Sequence, residues 1–206
     1  MKKPLSKTAL FSLIGGLAVF VCLTVLSIWV MTAVYVKRSD NGFIRLVASW
    51  LPAAKIGSET IPYSEFIKTR DTLKVYMSSQ AAKDAGMAQP ITSDVEKNSF
   101  ERLMRERIVA QYAYKNNIKI NDQDVRASFS DLVMQTSSTI PNVAQYLSDN
   151  FKWTEEDFRE KVVRPAILEE KVAAALTTST ADQYIELESL IKKRMADADV
   201  KIYLKF

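Results

Sequence analysis

Histidine is absent from all 206 residues, and there is a single cysteine, Cys22. The first absence removes Ser-His-Asp and Cys-His nucleophile systems, His-based zinc sites and imidazole proton transfer. The second removes disulfides and paired-thiol chemistry, so the fold must be held by packing alone. Only five glycines occur, and no GxxxxGK[ST] or GxGxxG run is present to cradle a phosphate. Acidic clusters such as Glu155-Glu156-Asp157 fall at an expected helix start, where they complement the helix dipole rather than act as catalytic groups. No cofactor is expected.

One stretch lacks charge entirely. Ala9 to Val36 is 28 residues without Asp, Glu, Lys, Arg or His. As a helix it reaches about 42 Å, against a bilayer hydrocarbon core of about 30 Å. The expectation is one transmembrane helix over 9–36, preceded by a cytoplasmic tail over 1–8. The run is too long for a cleavable signal peptide and has no small-x-small site at its end. Val19-Phe20-Val21 ahead of Cys22 does not fit a lipoprotein. Lys2, Lys3 and Lys7 precede the run, and Lys37 and Arg38 follow it. That balance, with the form of an uncleaved signal anchor, places the amino terminus in the cytoplasm and the folded part outside it. The lipid bilayer is therefore an expected partner. Gly15-Gly16 offers a close-packing face for a homodimer.

The net charge of +4 misleads about the rest. The first 38 residues hold five of the 28 bases and none of the 24 acids, which leaves the remainder 23 against 24. A near-neutral, slightly acidic domain argues against nucleic acid.

The remaining chain reads as mostly α. Residues 37–52 are expected as a juxtamembrane linker, with Trp50 and its apolar neighbours either forming a short amphipathic helix at the headgroups or simply extending toward the domain. A strand, glycine turn and return cover 53–61. A helix then starts near Tyr63, with Ser64 as its cap, and runs to Ala85 before Gly86. Ser93 with Glu96 has the spacing of a capping box. Phe100, Leu103, Met104, Ile108 and Tyr112 recur at helical spacing. Asn121 caps a helix carrying Val125, Phe129, Leu132 and Val133. A shorter helix follows Pro141, and Thr154 caps another in which Pro165 should kink or break the pattern. Thr177 to Thr180 forms a polar break. A last helix presents Tyr184, Leu187, Ile191 and Met195, and residues 200–205 alternate as a strand whose expected partner is Ala54 to Ile56.

Residues 55–66, Lys55-Ile56-Gly57-Ser58-Glu59-Thr60-Ile61-Pro62-Tyr63-Ser64-Glu65-Phe66, resemble the start of the SurA amino-terminal chaperone domain. Ile56-Gly57 stands where that family has a Val-Asn-Gly-like turn. The helix from Phe100 to Tyr114 and the step Ile118 to Val125 look like its long helix and the segment that follows. Trp153-Thr154-Glu155-Glu156-Asp157-Phe158 is similar to a segment of membrane-anchored relatives. The resemblance spans roughly 53–176, and the last helix and strand resemble the piece that closes the module, making 53–206 one domain. It implies a holdase for unfolded or newly exported polypeptides, with no catalytic residue. The family is often fused to a parvulin-type isomerase, whose Gly-Gly-x-Leu-Gly run and histidines are missing, so isomerase activity is not carried over. A separate isomerase is then an implied partner.

A holdase needs adaptable exposed apolar surface, which Met and aromatic side chains supply. Met77, Met104, Phe129, Met134, Tyr146, Phe151 and Trp153 are the candidate polypeptide-binding residues. The rival reading is a cell-envelope structural or adaptor protein that docks one fixed partner through the same helices.

Overall fold

The computed structural model describes the backbone of residues 7–177 and 179–206, with side chains from Phe20 onward in the first helix. Lys2, Lys3, the first six residues of the expected tail, and Thr178 of the polar break lie outside the described residues. The chain is mostly helical with one small sheet. Its order is α1 (Lys7–Tyr35), α2 (Gly42–Val47), β1 (Pro52–Ile56), β2 (Glu59–Pro62), α3 (Tyr63–Ser78), α4 (Gln80–Asp84) and α5 (Ser93–Lys115). There follow α6 (Asp122–Thr136), α7 (Val143–Phe151), α8 (Glu155–Phe158), a π turn (Arg159–Val163), α9 (Arg164–Leu176), α10 (Gln183–Met195) and β3 (Val200–Ile202).

The sheet joins the two ends of the domain, in the order β2-β1-β3 and antiparallel throughout. Ala54 faces Ile202 and Ile56 faces Val200. Gly57 makes the β1–β2 turn possible, because its φ of 62° is the left-handed region and a Cβ there would lie 3.1 Å from the Arg194 guanidinium. β3 is shorter than the expected 200–205. Beyond Ile202 the Tyr203 amide donates to the Ala53 carbonyl (3.0 Å) and the Lys205 amide to the Tyr35 carbonyl (2.9 Å), so the segment leaves the sheet to grip the end of α1.

That grip belongs to the main departure from the expected layout. The last turns of α1 and the segment expected as a linker are built into the domain. Ala33, Val34, Ile44, Ala48 and Leu51 are buried in one core with Ile56, Tyr63, Phe66, Phe100, Met104 and Leu187. Arg38 ends α1 in a left-handed conformation, φ 48°, and the Ser39 amide donates back to the Ala33 carbonyl at 2.8 Å. The buried Tyr63 hydroxyl donates to the Ser39 carbonyl at 2.7 Å, and burial pushes its phenol up to about 12. Within α1, the Thr24, Ser27 and Thr32 hydroxyls donate to carbonyls three or four residues back, which satisfies them without a neighbour. Among the described residues no helix is long and apolar enough to cross a membrane. The span expected over 9–36 lies partly outside the residues whose side chains are described.

Local chemistry revises several expected boundaries. Thr92, not Ser93, caps α5 by accepting from the Val95 amide, because Glu96 is drawn away to Arg38 (2.7 Å) and Arg70 (3.3 Å). Ser64 does not cap α3; Pro62 precedes it with no side-chain cap. The helix expected to continue to Ala85 breaks at Ser79, which is extended and caps α4 through the Ala82 amide. Pro165 does not stop its helix but stands in the first turn of α9, just after a π turn that interrupts the α pattern. The π turn just ahead of it absorbs the missing donor, with the Arg164 amide reaching back to Arg159. Tyr184 of α10 points to solvent, and Leu187 and Ile191 alone of its expected stripe are fully buried.

A second, smaller core of Val125, Phe129 and Val163, with Phe158 and Ile167 against it, joins α6 to the π turn and α9. Lys171 to Asp124 (2.7 Å) and Arg164 to Asp122 (2.7 Å) brace the same contact.

Candidate functional site

α3 carries two roles along its length. Tyr63, Phe66, Ile67 and Arg70 in its first turns are buried. Its later turns pass the edge of the core, and there the helix forms one wall of an open crevice of about 970 Å³. The second wall is the early part of α5, with Val95, Ser99 and Leu103. The third is the bend from α7 into α9, with Phe151, Trp153 and Pro165. The volume is at the upper end of the roughly 300–1,000 Å³ seen for ligand clefts.

The third wall exists because of one backbone reversal. α7 is strongly amphipathic and is capped at its start by Asn142, which accepts from the Gln145 amide. It ends at Lys152 in a left-handed conformation, φ 58°, with the Trp153 amide donating to the Leu147 carbonyl at 3.3 Å. The reversal folds Trp153 beside Phe151, ring centroids 5.3 Å apart and planes 24° from parallel. Phe151 also stacks on Tyr76 of α3 at 5.0 Å and 6°. Tyr146 approaches Phe151 at 6.3 Å. The result is a ladder of three stacked rings along the crevice, with a fourth behind it.

The Trp153 end is fixed by a capping box. The Thr154 hydroxyl accepts from the Asp157 amide (3.1 Å), and the Asp157 carboxylate accepts from the Thr154 amide (3.1 Å). Asp157 also binds Lys161 at 2.6 Å, and the Lys161 ammonium lies 5.1 Å from the Trp153 ring centroid, a cation–π contact. The hydrogen bond from Lys161, then those from Thr154, hold the Asp157 carboxyl at about 2. Because this folded value is depressed, the stability it brings is complete above the ordinary carboxylate range near 4 and is lost as pH falls toward about 2. Thr154→Ala is expected to destabilise the protein by about 1 kcal/mol and to raise the Asp157 midpoint in a carboxyl-resolved NMR titration.

The structure separates the seven candidate residues. Phe151 and Trp153 line the crevice, and Tyr146 supports it from behind. Met77 is half-buried near the end of α3. Met134 is 65% exposed on α6 and is not part of the crevice lining. Met104 is fully enclosed in the main core, and Phe129 is buried in the small one with the Arg159 guanidinium 5.5 Å from its ring centroid. Neither offers surface to a partner, because helical spacing that points a side chain at a core cannot also point it at solvent. Of the three aromatics that line the crevice, Tyr76 is the one that sequence reasoning missed. Its signal was its position, three residues past Leu73 on the face away from the buried stripe.

The crevice carries charge of both signs: Lys68, Arg102, Lys152 and Lys161 against Asp71, Glu106, Asp157 and Glu160. Among the described residues no group of His, Cys, Asp and Glu is placed to hold a metal ion. What the arrangement can do is accept an apolar or aromatic segment in extended form between three helical walls, with polar groups at the rim for its backbone.

The class is thus a mostly helical module closed by a small sheet between its ends. The chain belongs to the family of the SurA-like N-terminal domain, whose model matches residues 6–137. No curated protein and no solved structure matches it. The matched range begins well ahead of residue 53, where the resemblance was expected to start, and takes in the apolar run of α1. It stops short of 176, so the α7–α9 wall with Phe151 and Trp153 lies beyond it.

Proposed function

We propose that the protein is a membrane-anchored chaperone that holds unfolded or newly exported polypeptides outside the cytoplasm. It has no isomerase activity of its own. The observation that carries this reading is the open crevice with the Tyr76-Phe151-Trp153 ladder. A holdase works by offering such surface without catalysis, and rigid rings give contact area at low entropic cost. Membership of a chaperone-type family supports the same reading. The 28-residue uncharged run supports the anchor, and anchoring raises the local concentration of the crevice near emerging chains. The flanking lysines support an inside amino terminus.

The test uses the full chain in nanodiscs, because a fragment starting at Ala53 would lose Val34, Ile44 and Ala48 from the core. Excess protein is expected to suppress light scattering by several unrelated aggregating clients, and to give no rate above background in a peptidyl-prolyl isomerisation assay. Failure to suppress any client would sink the holdase reading in favour of an envelope adaptor with one fixed partner. A catalysed isomerisation rate would refute the non-enzymatic part.

A further inference from the structure

Six residues in and just after α2 carry two apolar faces. Ile44, Ala48 and Leu51 point inward and are buried. Phe43 and Leu46 of α2, and Trp50 in the turn that follows it, are left exposed. Leu46 is 77% exposed and Trp50 73% exposed, although both belong to residue types that water disfavours. The inward face fixes the rotation of α2, so the outward face cannot turn away. That face is continuous with α1, because the Phe43 ring lies 6.0 Å from the ring of Trp29, itself exposed.

The position of Trp29 matters for length. The apolar run of 28 residues is about 12 Å longer than a hydrocarbon core requires. Its last part is accounted for otherwise, since Ala33 and Val34 are buried inside the folded domain. Ala9 to Trp29 is 21 residues, about 32 Å of helix, which matches the roughly 30 Å core.

We infer that Phe43, Leu46 and Trp50 form a lipid-contacting seat, on which the domain rests with the membrane surface at the level of Trp29. This rests on the membrane anchoring proposed above. The occupant is the boundary between headgroups and acyl chains, where tryptophan concentrates and short amphipathic helices lie flat. A domain seated in this way, with α1 built into its core, is held at a fixed height and tilt rather than swinging on a tether. The crevice would then face the same depth of the aqueous space in every molecule.

The chain has three tryptophans, Trp29, Trp50 and Trp153, so two single-tryptophan forms test the seat. One keeps Trp50 (Trp29→Phe, Trp153→Phe) and the other keeps Trp29 (Trp50→Phe, Trp153→Phe). Each full-length protein is placed in vesicles of phosphatidylcholine brominated near the top of the acyl chain. Both forms are expected to lose emission relative to unbrominated vesicles, with a blue-shifted maximum for Trp50. Quenching of Trp29 with none of Trp50 overturns the seat and leaves the anchor standing. If Trp50 is then also shielded from aqueous iodide, a second copy or another protein covers the face, which equally overturns it. Quenching of neither removes both the anchor and the seat. A second measurement places a fluorophore at Leu46→Cys in a Cys22→Ser background, where the same lipids should quench it; an unquenched label overturns the seat independently.

Discussion

Arg70→Met is expected to destabilise the protein by about 3 kcal/mol, lowering its thermal midpoint by about 6–12 °C for a chain of this size. Arg70 is 4% exposed, and its guanidinium joins three parts of the chain. It donates to the Arg38 carbonyl at 2.6 Å and to Glu96 at 3.3 Å. Its Nη2 lies 2.9 Å from Asp40, out of hydrogen-bonding alignment. It also sits over the Phe66 ring, 5.6 Å from the centroid. Its Nε is buried without a partner among the described residues, so part of its desolvation goes unrepaid. That, and the Arg38 contact that Glu96 would retain, put the loss at the lower end for breaking a buried ion pair. Arg70→Lys should recover little, because an ammonium cannot span the Arg38 carbonyl and Glu96 in one plane. Lys74→Met tests the exposed side of the same cluster. Lys74 binds Asp40 at 2.6 Å and, with Arg70 and Arg45, holds its carboxyl below the ordinary range. Its removal should cost under about 1 kcal/mol, as surface pairs do. Thermal melts of the three variants in one lipid environment decide between these values. Equal losses for Arg70→Met and Lys74→Met would mean that burial of the guanidinium contributes nothing.

This cluster marks where sequence reasoning stopped. The stripe of α5, Val125 and Phe129 of α6, the caps at Asn121 and Thr154 and the pairing of the two terminal strands are local or periodic signals, and they are legible; Leu132, expected on the apolar face of α6, is instead 40% exposed. Arg70 sits at a core position of α3, four residues after Phe66. An arginine on an apolar stripe reads as an interruption unless its partners are known, and those partners, Arg38, Asp40 and Glu96, are 26–32 residues away. The part the apolar run plays in the core is hidden for a different reason. A membrane span and a helix end buried in a protein core call for the same side chains, so composition cannot tell that α1 ends inside the domain. That shows only in the burial of Ala33 and Val34 with the domain's core. In the crevice, Phe151 and Trp153 are visible as aromatics close in sequence. What makes them a surface is the left-handed Lys152 between them and the arrival of Tyr76 from another helix. No periodicity encodes either event. Met104 and Phe129 fail as surface candidates by the same logic, since residue type suggests stickiness but only the fold decides which way a side chain faces.

Phe151→Ala should cause the largest functional loss. Phe151 is the middle rung, stacked on Tyr76 at 5.0 Å and on Trp153 at 5.3 Å, with Tyr146 at 6.3 Å. Truncating a central aromatic of a binding surface typically costs 2 kcal/mol or more, roughly a thirtyfold weaker complex. The effect should exceed that of removing either outer rung, because the deletion also frees Tyr76 and Trp153 to collapse into the gap. Stability should suffer less than binding: Phe151 is only half-buried and belongs to neither apolar core. Phe151→Leu separates ring stacking from apolar volume, and should restore melting temperature more fully than affinity. The readout is the dissociation constant for an unfolded client, measured beside thermal melts of the same preparations. Met134→Ala, on exposed α6 away from the crevice, should leave affinity unchanged. If Met134→Ala weakened binding as much as Phe151→Ala, clients would be held by scattered surface methionines and the crevice would not be the site. If only Phe151→Ala weakened it, the ladder would be the element that turns a helical scaffold into a polypeptide holder.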